Sequence, residues 1–527
     1  MRGIVGIVNL DGAPVDRDLL TRMAKFMEFR GADAGEIWIQ DNVGFSHAFG
    51  SDIFVTADAR IDGCDADVRD VERILRAYER WGEACVEHLI GDFAFAIWDA
   101  RSRRLFCARD HFGVKPFYYA RVGDSFIFSN TLNVLRLEPR VSDELNEMAI
   151  GDYLESGLNQ DLTTTVFRDI QRLPGGHTLS VANGSITTRR YWTPAVKQEI
   201  RFREPQSYVE RFKELLTSAV KDRLRTERVS ISMSGGLDST SLAVVARDLL
   251  KESPAPATVR AFSTVYDKLI PDEERHYSTL AASSLGIPIH HLSADNYPLF
   301  AGDLDVPEPF LVSPLAGQYN DLLRLMADHG RVALTGYDGD ALMNEPQQSL
   351  VARLARPFKT GIKRIKERRI SFERSKRRPA TLAALQSKVW APLFEGYDPG
   401  VTRLPLEVRH PFVDVRLVEY LLSIPTRPWC VNKHILRCAM KDRLPAAVLN
   451  RPKTPLAGDP ALQLTRRAGV RWLDNFEVTP QLTRFVNLSR RRSLAEDTPD
   501  ILWANLRVFA LNHWLAHSLP NDRRMVA

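Results

Sequence analysis

The stretch RVSISMSGGLDSTSLAVVARDLL, residues 228–250, constrains the fold more than any other part of the chain. A strand-like apolar run ends at Ser234, Gly235 and Gly236 and turns directly into a helical pattern. Glycines let backbone amides point inward, and a helix start adds partial positive charge, so this turn reads as a phosphate cradle. The hydroxyls of Ser234 and Ser239 add donors. No Gly-Lys-Ser/Thr follows, so the turn is not the common P-loop. Asp238 in the same turn would repel phosphate unless a cation bridges the two, which implies Mg²⁺. The plainer alternative is a simple glycine turn with Asp238 as a helix cap.

Around this turn, helix and strand patterns alternate. PQSYVERFKELLTSAVKDRL places Tyr208, Phe212, Leu215, Leu216, Ala219 and Leu224 on one face. After the cradle come strand VRAFSTVY, helix DEERHYSTLAASSLG, strand IPIHHLS, helix QYNDLLRLMADHG and strand RVALTG. Such alternation predicts an α/β domain with a parallel sheet and its ligands at the carboxyl ends of the strands. From about residue 379 the pattern reads as mainly helical. Residues 1–195 differ: IVGIVNL, VGFSHAF, FAFAIWD, RLFCARD and SFIFSN are short strand-like runs, interrupted by one helical stretch beginning at DVERILRAYERW. The polar segment 193–204 reads as a linker between a domain of residues 1–195 and one of residues 205–527.

Bulk properties exclude several classes. The chain has 527 residues, enough for two or more full cores, and five scattered cysteines without CxxC spacing. Neither a disulfide framework nor a zinc site is expected, and a cytoplasmic protein is. No membrane-length apolar run and no signal peptide are read. The net charge of +5 is modest and does not point to nucleic acid.

A second strand-to-glycine turn, LTGYDGDAL at 334–342, contains Gly336, Tyr337 and Asp340. Between it and residue 378 lies a basic stretch, 351–378, with twelve Lys or Arg and two Glu. It reads either as a solvated helix or as a docking surface for an acidic peptide or partner protein. Aromatic interleaving is limited to Phe358 and Phe372, which gives little support for base stacking. His290 and His291 end a strand and read as structural.

The SGGLDS turn resembles the loop of the ATP pyrophosphatases. Further matches run along the chain: GDFAFAIWD, RRLFCARDHFGVKPFYY and LPGGHTLS, then EVRHPFVD, NKHILR and LPAAVLNRPK. In these motifs the chain resembles the asparagine synthetase B superfamily. The resemblance implies an amino-terminal αββα sandwich of the N-terminal nucleophile type and a carboxyl-terminal ATP-pyrophosphatase domain. It implies ATP and Mg²⁺, with Met233, Ser234, Gly235, Gly236, Asp238, Ser239, Thr264, Gly336 and Lys433 around the nucleotide. Asp238 and Asp340 would hold the metal, and Lys453 would steady the acyl-transfer transition state.

The departures from the family pattern carry the functional expectation. Asparagine synthetases have Ser-Gly-Glu-Gly-Ser-Asp-Glu where this chain has Tyr337 and Ala341 in place of the two glutamates. A tyrosine here resembles the β-lactam and carbapenam synthetases, which pair it with a glutamate to deprotonate an attacking amine; Glu407 is the equivalent. The family's glutaminase half uses a terminal cysteine and an Asn-Gly pair. Here Arg2 stands near the cysteine position, and Asp58 and Ala59 replace the pair. The resemblance therefore implies a degenerate glutaminase and an amine carried by the substrate. β-Lactam synthetases and lasso peptide cyclases share this loss. The basic stretch favours a lasso-type cyclase acting on a precursor peptide, with a partner peptidase or leader-binding protein, and not on nucleic acid or at a membrane.

Overall fold

The computed structural model describes residues 2–31, 36–63, 68–196, 198–252, 258–301, 306–345, 378–452, 457–468, 473, 476–490 and 498–518. Among the described residues, seventeen strands form three sheets. The first contains β1 (Val5–Asn9), β2 (Ile37–Gln40), β3 (Val43–Ser46), β8 (Tyr118–Val122), β9 (Ser125–Ser129) and β10 (Ile170–Arg172). Its order is β10-β8-β9-β1-β3-β2, antiparallel throughout. The second contains β4 (Phe49–Gly50), β5 (Ile53–Ile61), β6 (Gly91–Asp99), β7 (Arg104–Arg109), β11 (His177–Ala182) and β12 (Ser185–Arg190). Its order is β12-β11-β7-β6-β5-β4, also antiparallel.

Side chains two apart share a face, and this period builds a four-layer sandwich. Phe126 and Phe128 on β9 pack with Ala94 and Ala96 on β6 between the sheets. Ile127 instead faces outward, into a layer with Leu20 and Met23 of the helix Arg17–Phe26. Phe93 and Phe95 face the opposite layer, against Val71, Ile74 and Tyr78 of the helix Asp70–Trp81. That helix stops at Trp81, where Gly82 takes a φ of 57°, and the rest of the helical stretch read from sequence becomes a short 3₁₀ turn. The last described helix, Pro499–Ser518, joins the outer layer of the first sheet through Leu502, Leu506 and Trp514. The Trp514 indole donates to the Val306 carbonyl at 3.0 Å.

The third sheet contains β13 (Arg228–Ser232), β14 (Thr258–Val265), β15 (Ile289–Ser293), β16 (Val332–Thr335) and β17 (Glu407–Arg409). It is parallel, in the order β15-β14-β13-β16-β17. Apolar cores lie on both of its faces, as a parallel sheet requires. One face carries the helices Pro205–Leu224 and Leu237–Lys251, the other the helix Ala316–His329. The first four strands match the alternation read from sequence. The fifth, β17, lies inside the segment read as mainly helical.

Buried ions join the two halves. Arg60 pairs with Asp62 and, at 2.6 Å, with Asp92; Arg223 of the helix Pro205–Leu224 reaches Asp62 at 3.6 Å and Asp414 at 2.9 Å. Arg172 pairs with Glu308 and, at 2.8 Å, with Glu395. Among the described residues no helix is long and apolar enough to cross a membrane.

Candidate active site

Two loops meet at the carboxyl ends of the adjacent strands β13 and β16. The first leaves Ser232 and passes through Gly235 at a φ of 65° into the helix Leu237–Lys251. A Cβ on Gly235 would lie 2.5 Å from the Ser278 amide nitrogen, so the neighbouring helix admits only glycine there. The second loop leaves Thr335 and turns at Asp338 into the helix Gly339–Met343. Side chains on Gly336 or Gly339 would collide with the first loop: a Cβ would fall 2.6 Å from the Ser239 nitrogen or 2.4 Å from the Asp238 carboxyl carbon. Gly336 and Gly339 thus record the close approach of the two loops, and Gly235 that of the first loop to the helix Glu274–Leu285.

This approach brings Asp238 and Asp340 to one cation. Lys433 Nζ lies 2.7 Å from Asp238 Oδ2 and 2.8 Å from Asp340 Oδ1. Burial would lower the Lys433 pKa, but the two carboxylates raise it, so the side chain is an ammonium at neutral pH. Asp338 is buried beside them, and burial together with the Asp238 charge holds its carboxyl well above the ordinary range. Ser239 Oγ accepts from the Ser234 amide at 3.2 Å, closing the cradle. Met233 is buried beneath it, and Thr264 is half-buried near the end of β14. Hard carboxylate oxygens around a single cation form a donor set that suits Mg²⁺. Among the described residues no group of three or more His, Cys, Asp or Glu could hold a metal, and one or two carboxylates with water and phosphate oxygens is the usual magnesium shell.

Lys453 lies outside the described residues, as does the basic stretch through residue 377. Arg451, two residues before Lys453, is anchored at the cradle: it pairs with Glu274 at 3.1 Å, donates to the Ser234 carbonyl at 3.4 Å and stacks on Tyr277.

The expected pairing of Tyr337 with Glu407 is not made. Glu407 Oε1 accepts from Lys115 Nζ at 2.9 Å and Oε2 from Arg409 at 2.7 Å. Burial would raise the Glu407 pKa, but Arg409 and Lys115 hold it well below the ordinary range. Tyr337 instead accepts a hydrogen bond from the Tyr397 hydroxyl at 3.1 Å. Its ring lies 6.3 Å from that of His410, whose Nδ1 is 2.7 Å from Thr335 Oγ1. Burial pushes the His410 imidazole down to about 4, so it is neutral.

At the start of β1, Asp58 stands among ions. Asp58 Oδ1 accepts from the Arg2 amide at 3.2 Å and lies 3.4 Å from Lys115 Nζ; Asp58 Oδ2 accepts from Asn130 at 3.1 Å and lies 3.7 Å from Arg30. Burial would raise the Asp58 pKa, but Lys115 and Arg30 bring it below its ordinary value. Lys115 therefore bridges Asp58 in the sandwich to Glu407 on β17.

Comparison with known families decides the identity. Residues 211–395 and 402–515, more than half of the chain, match the family described as asparagine synthase. The chain belongs to the asparagine synthase family. Residues 66–192 match a glutamine amidotransferase domain. Asparagine synthetase 3 of Bacillus subtilis, a glutamine-hydrolysing protein by name, is 26% identical over 86% of this chain and 86% of its own length. Asparagine synthetase 2 of the same organism is 25% identical over 86% of this chain and 71% of its own length. The amidase chyE of Penicillium rubens is 27% identical over 43% of this chain and 35% of its own length. Like its asparagine synthase relatives, the chain is an ATP-dependent amide-forming ligase. Sequence reasoning missed three groups in this asparagine synthase site: Lys115, Tyr397 and the Thr335–His410 pair. Lys115 stood in a quoted motif, but its partner lies 292 residues away.

Proposed function

We propose that this ligase closes an amide within a substrate that brings its own amine, as lasso peptide cyclases do. The substrate on this reading is a precursor peptide with an internal Asp or Glu. Its side-chain carboxylate attacks the α-phosphorus of ATP, releasing pyrophosphate. The peptide's amino-terminal amine then displaces AMP, forming a macrolactam. The observation that supports this reading most is Asp58. A carboxylate clamped by Lys115 and Arg30 where the glutaminases place a neutral oxyanion-binding pair disfavours a developing oxyanion, and with it glutamine hydrolysis.

Each step has residues to serve it. The amides of the Ser234–Gly236 turn and the Lys433 ammonium bind the departing pyrophosphate. Magnesium, when bound, would be held by Asp238 and Asp340 and would neutralise phosphate charge. Tyr337 takes up the amine's proton, and the hydrogen bond donated by Tyr397 orients its hydroxyl, where the related synthetases use a glutamate in the place of Glu407. Lys453 steadies charge on the acyl group, and the basic stretch 351–378 receives a partner peptidase or the leader peptide. The four described cysteines are free, in keeping with a reducing cytoplasm.

The test supplies the protein, Mg-ATP, a partner peptidase and a core peptide with an amino-terminal Gly and an internal Asp or Glu. Pyrophosphate release with a product lighter by one water is expected. Absence of both refutes the reading, as does pyrophosphate release that depends on glutamine.

A further inference from the structure

Beside the adenylation crevice lies a second, differently built space. Tyr337, on the loop that leads into the helix carrying Asp340, forms one wall of a cavity of about 420 Å³. That volume is within the range of roughly 300–1,000 Å³ typical of small-molecule sites. The helix Ala316–His329 contributes Tyr319 and Leu323, the helix Trp390–Tyr397 contributes Leu393, Gly396 and Tyr397, and Leu311 closes one side. Large aromatic surface stands open here: Tyr319 is 45% and Tyr337 37% exposed, side by side on the cavity wall.

The charges around the cavity are already engaged. No acidic residue lines it among the described residues, and its two basic ones are Arg324 and Arg403. Arg324 pairs with Asp321 at 3.1 Å, and Arg403 stacks on Phe26 and Phe29 at 4.8 and 4.4 Å. The polar groups left on the walls are chiefly neutral, above all tyrosine hydroxyls. With no acidic residue on the described walls, an ammonium of a small amino acid held here would be buried without a counter-ion, at a cost of several kcal/mol. An apolar or aromatic side chain pays no such penalty and gains the burial of its own surface.

We infer that this cavity receives a large apolar side chain of the substrate, from a residue next to the reacting carboxylate or amine. The inference rests on the peptide reading above and deepens it. It makes the residue in this pocket, and not the reacting Asp or Glu, the main determinant of which peptides are accepted. Continuity supports this: Tyr337 belongs both to the cavity wall and to the loop that leads directly into the helix of Asp340.

Gly396 allows a direct test. A Cβ there would meet a single atom within 4 Å, Leu311 Cδ2 at 3.7 Å, so Gly396→Phe can direct its ring into the cavity without disturbing the helix. Binding of N-acetyl-phenylalanine amide and of N-acetyl-aspartate amide to the full chain is followed by saturation-transfer NMR. The phenylalanine amide is expected to bind, and about tenfold more weakly to Gly396→Phe and to Tyr319→Ala, an exposed position whose substitution spares the core. Equal or tighter binding of the aspartate amide overturns the inference, as does unchanged binding by either folded variant. The two readings fail separately: a chain that makes no macrolactam still gives this titration, and a negative titration leaves the closure reaction standing.

Discussion

Lys115→Met is the perturbation that most directly tests how the two halves are joined. Lys115 is 6% exposed, Asp58 3%, and the ammonium lies 2.9 Å from Glu407 and 3.4 Å from Asp58. Methionine keeps the stem and removes the charge, leaving two buried carboxylates short of a cation. Breaking a buried ion pair from one side costs about 3–5 kcal/mol. The lower end applies, because Arg409 still holds Glu407 at 2.7 Å and Asn130 still donates to Asp58. The expected loss is about 3 kcal/mol at pH 7, read from urea unfolding. In the parent, both carboxyls sit below their unfolded values, so their contribution is present above about pH 4 and is lost as pH falls through the folded values. In the variant one of the lowering charges is gone and the folded values rise, so the deficit should shrink as pH falls from 7 and the carboxyls take up protons. Adding Asp58→Asn should restore part of the loss. A variant within about 1 kcal/mol of the parent at pH 7, or a deficit that does not shrink at pH 5, would refute the reasoning.

Tyr337→Phe should slow amide closure about a hundredfold while ATP–pyrophosphate exchange continues at the parental rate, and Tyr397→Phe, which removes the hydroxyl that orients Tyr337, should slow closure about tenfold with exchange likewise unchanged. Equal loss of exchange and closure would make Tyr337 structural. Gly235→Ala meets both a φ of 65° and the Ser278 nitrogen at 2.5 Å, so exchange should fall about a hundredfold, measured with labelled pyrophosphate. His410 titrates at about 4 in the folded chain against about 6.5 unfolded, a depressed histidine. Its contribution is complete above pH 6.5 and declines as pH falls towards 4, by about 3 kcal/mol in all. His410→Gln should lack that part of the slope in paired unfolding curves at pH 7 and pH 4.5.

Much of this was legible in the sequence because it is local. The glycine turns at 234–236 and 336–339 carry their own geometry, and the alternation of helix and strand announces the parallel sheet. Asp238, Asp340 and Lys433 converge as the motifs imply, although the lysine itself occupies the space between the carboxylates. Strand β17 was hidden because three residues display no periodicity, and it forms only by pairing with Val332–Leu334. The Tyr337 partner was misjudged for a related reason. Glu407 shares a motif with its synthetase counterparts, but nothing near it in sequence reveals that Lys115 and Arg409 claim both oxygens. Tyr397 follows the basic stretch in the chain and has no motif of its own.

The placement of the helix Pro499–Ser518 has a consequence for how the protein is made. Its Leu502, Leu506 and Trp514 complete an apolar layer begun by Val5 and Ile7, so one of the earliest cores finishes among the last. The helix Arg17–Phe26 covers part of that layer from the start, but the surface that Leu502, Leu506 and Trp514 seal stays open until residues 499–518 have left the ribosome. A chain cut before Pro499 should therefore expose apolar surface that the longer chain buries.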